Sequence, residues 1–113
     1  MHSARVISAL LALTALPALA QTGQCQVKDS SAAVMLMVCP QGAGPQVWRA
    51  AGQHACAARK DCNVWIWENA ADVPAKAPTT DADLPKDRTA KAVAIWVQQS
   101  QDLVTLKRVG TGK

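Results

Sequence analysis

Four cysteines, Cys25, Cys39, Cys56 and Cys62, stand in a chain of 113 residues, and they constrain the fold more than any other feature. The segment ahead of them sets their chemistry. His2 and Arg5 give a short polar, basic start, Val6 to Leu16 is an apolar run, and Pro17 breaks it. Ala18-Leu19-Ala20 then supplies the small-x-small pattern of a signal-peptidase site. The expectation is a secretory signal peptide over residues 1–20, cleaved after Ala20, and a single domain over residues 21–113. All four cysteines then enter an oxidising compartment, where structural disulfides are the expected state.

A domain of about ninety residues buries roughly 60–65% of the surface its unfolded chain exposes, so covalent staples add to a thin core. Four cysteines allow three pairings, and spacing alone does not choose among them. Cys25 and Cys39 flank a proposed hairpin almost symmetrically, while Cys56 and Cys62 bracket a helix end and a strand start. The crossed alternative joins Cys39 to Cys56 and Cys25 to Cys62. Redox exchange favours a C-x-x-C pair at a helix start, and zinc favours paired C-x₂₋₄-C or Cys/His ligands. Neither spacing occurs here.

Periodicity and punctuation outline the elements. Cys25 to Lys28 alternates, Asp29-Ser30-Ser31 is a turn signal, and Ala33 to Cys39 is an apolar run of strand length. Pro40 to Pro45 is loop. A helix is expected from Pro45 or Gln46 to near Lys60, with Trp48, Ala51, Gly52, Ala55 and Ala58 on one face and Cys56 at its edge. Arg59 and Lys60 would then sit at the negative end of its dipole. Cys62 to Trp67 is apolar on both alternating faces, as in a central strand covered on two sides. Residues 69–90 carry three prolines and four aspartates with little apolar content, which predicts a mobile Pro/Asp-rich loop. Ala92 to Val97 and Leu103 to Val109 complete the set. The fold class expected is α+β: one small disulfide-stapled domain, with one helix packed on an antiparallel sheet of about five strands, in the order β-β-α-β-loop-β-β.

Charge narrows the partners. Without Arg5 the chain holds eleven Lys and Arg against eight Asp and Glu, a mild +3. The basic residues are scattered and form no run that tracks a phosphate backbone, so nucleic acid is not an expected partner. No second apolar stretch approaches the roughly 20 residues of a membrane span. Ala richness points to a bacterium of high genomic GC content, hence a periplasmic or secreted location.

With no Phe or Tyr, the four tryptophans are the only aromatics. Trp65 and Trp67 share one side of a strand, and Trp96 lies on another. They read either as the core's large fillers or, on a sheet face that one helix leaves open, as a platform for a protein or glycan. Asp81, Asp83 and Asp87 resemble the opening of a calcium loop that lacks its glycine and terminal glutamate. Met35, Met37 and His54 are the soft ligands a copper site would use, though Met-Leu-Met in an apolar strand also reads as core. His54 is the one histidine after the leader. No nucleophile elbow surrounds Ser30, Ser31 or Ser100, and Glu68 with a loop aspartate is the only carboxylate pair to consider for glycoside cleavage.

Ala55-Cys56-Ala57-Ala58-Arg59-Lys60-Asp61-Cys62-Asn63-Val64-Trp65 resembles the helix-to-strand step of PAN/apple modules, where a cysteine-bearing helix precedes a cysteine that opens a strand. The resemblance spans about a tenth of the chain and implies an extracellular protein- or carbohydrate-binding unit. Gly52 stands near the place of the earlier helix cysteine in those modules, and Ala92 to Val97 has no cysteine.

The function expected is a small binding module that acts by contact, of inhibitor, immunity or accessory-subunit type, without catalysis and without a cofactor. Its contact residues would be Trp65, Trp67, Trp96, Asp81, Asp83 and Asp87. Its partner would be another envelope or secreted protein, or a glycan. The alternative is a periplasmic metal-handling protein using Met35, Met37 and His54 or the aspartate loop, and a third reading is a small hydrolase around His54.

Overall fold

The computed structural model describes residues 24–106. The signal peptide expected over residues 1–20 and its cleavage point after Ala20 lie outside them. Five strands form one sheet in sequence order, β1 (Gln26–Ser30), β2 (Val34–Val38), β3 (Asn63–Trp67), β4 (Ala94–Val97) and β5 (Asp102–Thr105). A twelve-residue helix, α1 (Pro45–Cys56), joins β2 to β3, and a four-residue helix, α2 (Lys86–Thr89), precedes β4. The fold is α+β, with one main helix on a five-stranded sheet and two disulfides. No helix among the described residues is long and apolar enough to cross a membrane.

The sheet is mixed, not wholly antiparallel. β2 and β3 run parallel, from Val34 beside Asn63 to Val38 beside Trp67, and the other three pairs are antiparallel. The reason is the connection. Parallel neighbours need a crossover of a dozen or more residues, and α1 with its flanking loops supplies it.

Pro45 opens α1 where its missing N–H costs nothing. Its inward face is Trp48, Ala51, Gly52 and Cys56, the stripe the 3.6-residue period marks. The helix ends at Cys56, four residues short of the expected end. Ala57 has φ 52° and ψ −118°, and the Arg59 N–H donates to the Cys56 carbonyl at 2.9 Å. These are the marks of a type II′ turn, which reverses the chain toward Cys62. Arg59 therefore lies beyond the helix dipole and donates instead to the Ser31 and Ala32 carbonyls in the β1–β2 turn.

Cys25 pairs with Cys39 across the first hairpin, and Cys56 with Cys62 across the turn after α1. All four are buried. Of the pairings left open by spacing, these are the local ones.

Two cores flank the sheet. Beneath α1, Met35, Met37, Val64, Ile66, Ala94 and Trp96 pack against Trp48 and Ala51. On the opposite face, Val34, Leu36 and Trp67 pack against Val73, Leu84 and Ala92. Residues 69–90, expected as a loop, thus form a second covering layer on the sheet. Two 3₁₀ turns, 70–72 and 81–83, and α2 give this layer its own backbone bonds. It is tied to the sheet where the Ala77 N–H donates to Asp29 Oδ2 at 2.6 Å, Ser31 Oγ donates to the Pro78 carbonyl at 2.7 Å, and the Trp67 Nε1–H donates to the Arg88 carbonyl at 2.8 Å.

Candidate functional site

The period of β3 sends Val64 and Ile66 under α1 and Trp65 and Trp67 to the other face. The two indoles stack with ring centroids 6.4 Å apart and planes 28° from parallel. Their environments then diverge. Trp67 is wholly buried beneath the covering layer. Trp65 lies at the margin of that layer and stays half-buried.

Trp65 is nonetheless held in place. Its Nε1–H donates to Asp81 Oδ1 at 2.8 Å, and Asn63 Nδ2 donates to the other oxygen of the same carboxylate. Asp81 sits in the second 3₁₀ turn, so the covering layer reaches over to fix an aromatic ring that it does not bury. Hydrogen bonds to a charged acceptor are the stronger kind.

Register extends this ring into a strip. Trp65 stands beside Ile95, and Ile95 beside Val104. Ile95 is half-buried and Val104 is 44% exposed. An apolar row therefore runs from the covered core out to the sheet edge. Next to it, Asp61, Asn63, Thr79, Thr80, Asp81 and Gln99, together with Ala33 and Cys62, line an open hollow of about 320 Å³. An orienting apolar surface beside convergent polar groups is the usual make-up of a recognition site.

The other expected contact residues are elsewhere. Trp67 and Trp96 have no exposed surface and do not form a platform. Each fills a core: Trp67 the one under residues 69–90, Trp96 the one under α1, on opposite faces of the sheet. Trp96 is further fixed by its Nε1–H to Gln98 Oε1 at 2.8 Å, with the Arg49 guanidinium 5.7 Å from its ring centroid. Asp83 accepts from Thr80 Oγ1 and is exposed, and Asp87 is an exposed residue 3.9 Å from Arg88. Neither shares the hollow with Asp81, so the three aspartates do not converge as calcium ligands.

The structure does not bring the three soft ligands together. Met35 and Met37 are 5% and 2% exposed in the core under α1, whereas His54 is exposed on the helix. Among the described residues no group of three or more His, Cys, Asp or Glu side chains is placed to hold a metal ion. His54 stands exposed on the outer side of the helix. Glu68 Oε2 accepts from the Gly42 N–H.

Asn63, Ile95, Val104, Thr79, Thr80 and Gln99 were not among the residues singled out from the sequence. Asn63 had a readable signal, being the one polar residue in an otherwise apolar strand. Ile95 and Val104 had none, because pairing brings them to Trp65.

No family model, curated protein or solved structure matches the chain, so the PAN/apple resemblance rests on residues 55–65 alone.

Proposed function

We propose that this chain is a small, disulfide-stapled binding module of the periplasm or extracellular space, acting by contact as an inhibitor, immunity partner or accessory subunit of another envelope or secreted protein. The observation that carries this reading is Trp65, an indole left half-exposed and yet fixed by a carboxylate from another layer. A rigid aromatic loses little conformational entropy on binding, and tryptophan is the residue type most enriched at interface hot spots. The strip through Ile95 supplies apolar area, and the hollow around Asp61, Asn63 and Gln99 supplies a polar rim. Two disulfides suit an oxidising compartment.

The test is affinity capture from an envelope extract with the oxidised mature protein, wild type beside Trp65→Ala. A partner held by wild type and lost by a folded Trp65→Ala variant supports the reading; a partner held equally by both removes it. Deleting residues 69–90 is not a usable control, since Val73 and Leu84 close the second core. A glycan is the second reading, favoured by the half-buried Trp65 near the hollow that Asn63 and Gln99 line, and a glycan that protects Trp65 fluorescence from a soluble quencher would select it.

A further inference from the structure

The two edges of the sheet are built differently. β1 carries an irregularity between Val27 and Asp29, which takes Lys28 out of register with β2. A bulge and a lysine are two of the devices that keep an edge strand from pairing with another chain. β5 has neither. Its register with β4 is unbroken from Asp102 to Thr105, and the strand holds no Lys, Pro or Gly. Among the described residues it pairs only with β4.

We infer that β5 pairs antiparallel with β5 of a second copy of this chain, about a two-fold axis at Val104. The hydrogen-bond phase carries this. The Leu106 N–H donates to the Val93 carbonyl at 2.8 Å, so alternation turns the backbone groups of Val104 and Asp102 toward β4. The N–H and C=O of Leu103 and Thr105 then face outward. A two-fold axis at residue 104 sets Leu103 opposite the partner's Thr105 and Thr105 opposite the partner's Leu103, which satisfies these groups reciprocally. It also sets Val104 against the partner's Val104, a β-branched pair in the closer, non-hydrogen-bonded position. Asp102 falls opposite the partner's Leu106, so no like charges meet. The exposed valine is covered, and the Trp65–Ile95–Val104 strips of the two copies become one row across ten strands. A contact that unites the two strips makes the surface bivalent, and its test is independent of any partner.

A four-residue edge is a small interface, below the ~1,200 Å² of standard ones, so weak self-association in the roughly 10 µM to 1 mM range is expected. Sedimentation equilibrium of the oxidised mature protein reads it directly. Val104→Lys and Val104→Glu, each checked for native near-ultraviolet circular dichroism, should be monomeric alone. Mixed in equal amounts they should restore the dimer, because opposite charges then face each other. A wild type that stays monomeric at about 1 mM overturns the inference. So does a dimer that persists in both single variants, since it uses another surface.

Discussion

Gly52 of α1 lies directly against Trp96 of β4: a Cβ at position 52 would stand 2.5 Å from Trp96 Cβ and 2.6 Å from its Cγ. The helix therefore rests on the indole itself, and the small residues of its inner face let it approach that closely. In an open helix Gly→Ala gains about 1 kcal/mol. Here the atoms it meets belong to the root of a wholly buried side chain, which has nowhere to move. Overpacking of this kind costs typically 1–3 kcal/mol. Gly52→Ala should thus lower stability on balance, by up to about 2 kcal/mol after the propensity gain. Urea unfolding of the oxidised protein, followed by circular dichroism, gives the sign.

Ala57 is the opposite case. Its positive φ of 52° places a Cβ where glycine is preferred. Ala57→Gly should stabilise by about 1 kcal/mol, since relief of left-handed strain outweighs the added freedom of the unfolded chain. A rise in the urea midpoint with unchanged slope is the expected result; a fall would mean that the turn carries no strain at this residue.

The three buried tryptophans should differ on replacement by phenylalanine. The Trp48 Nε1–H has no hydrogen-bond partner among the described residues, so its loss removes an uncompensated donor. Trp67→Phe deprives the Arg88 carbonyl of its donor, and Trp96→Phe deprives Gln98, whose amide also donates to the Ala57 carbonyl in the turn after α1. Trp48→Phe should be the mildest of the three, with the other two costing about 1–2 kcal/mol more. Equal costs in parallel melts would show that volume alone decides.

Asp81 should matter more than Asp83 or Asp87. Asp81→Ala strips the acceptor from both Trp65 and Asn63, which should cost about 1–3 kcal/mol and release residues 79–83 from β3. Asp83→Ala and Asp87→Ala remove exposed contacts and should stay within about 0.5 kcal/mol. Amide exchange reads the local effect: faster exchange at Leu84 and Asp83 in Asp81→Ala, and no change there in Asp87→Ala.

Much of the fold was legible because its signals are local. The Pro40–Pro45 loop and the small-residue stripe through Ala51 and Gly52 each declare themselves within a few residues, whereas the first turn falls later than its Asp29-Ser30-Ser31 signal, because Asp29 and Ser30 still pair with Leu36 and Met35 in β1. The early end of α1 was hidden because Ala57 occupies a turn position where glycine would have announced it. The parallel pairing of β2 with β3 was open to inference, since the intervening segment is long enough for a crossover. The covering layer was not, because Val73, Ala77 and Leu84 are isolated apolar residues with no period. The same layer separates Trp65 from Trp67: two residues alike in sequence differ only in whether they fall inside its margin. Asp81 could be noticed as one of several loop aspartates, but its role depends on Trp65 and Asn63, far away in the chain.

The most direct test of the contact surface is site-specific photo-cross-linking in cells that produce the protein. A photoreactive residue placed at Val97, beside the strip, is compared with one at the exposed Gln53 on α1. The account predicts a discrete adduct from position 97, absent when Trp65 is also changed to alanine, and none from position 53. An adduct from position 53 with none from position 97 would contradict it and move the partner surface to the helix.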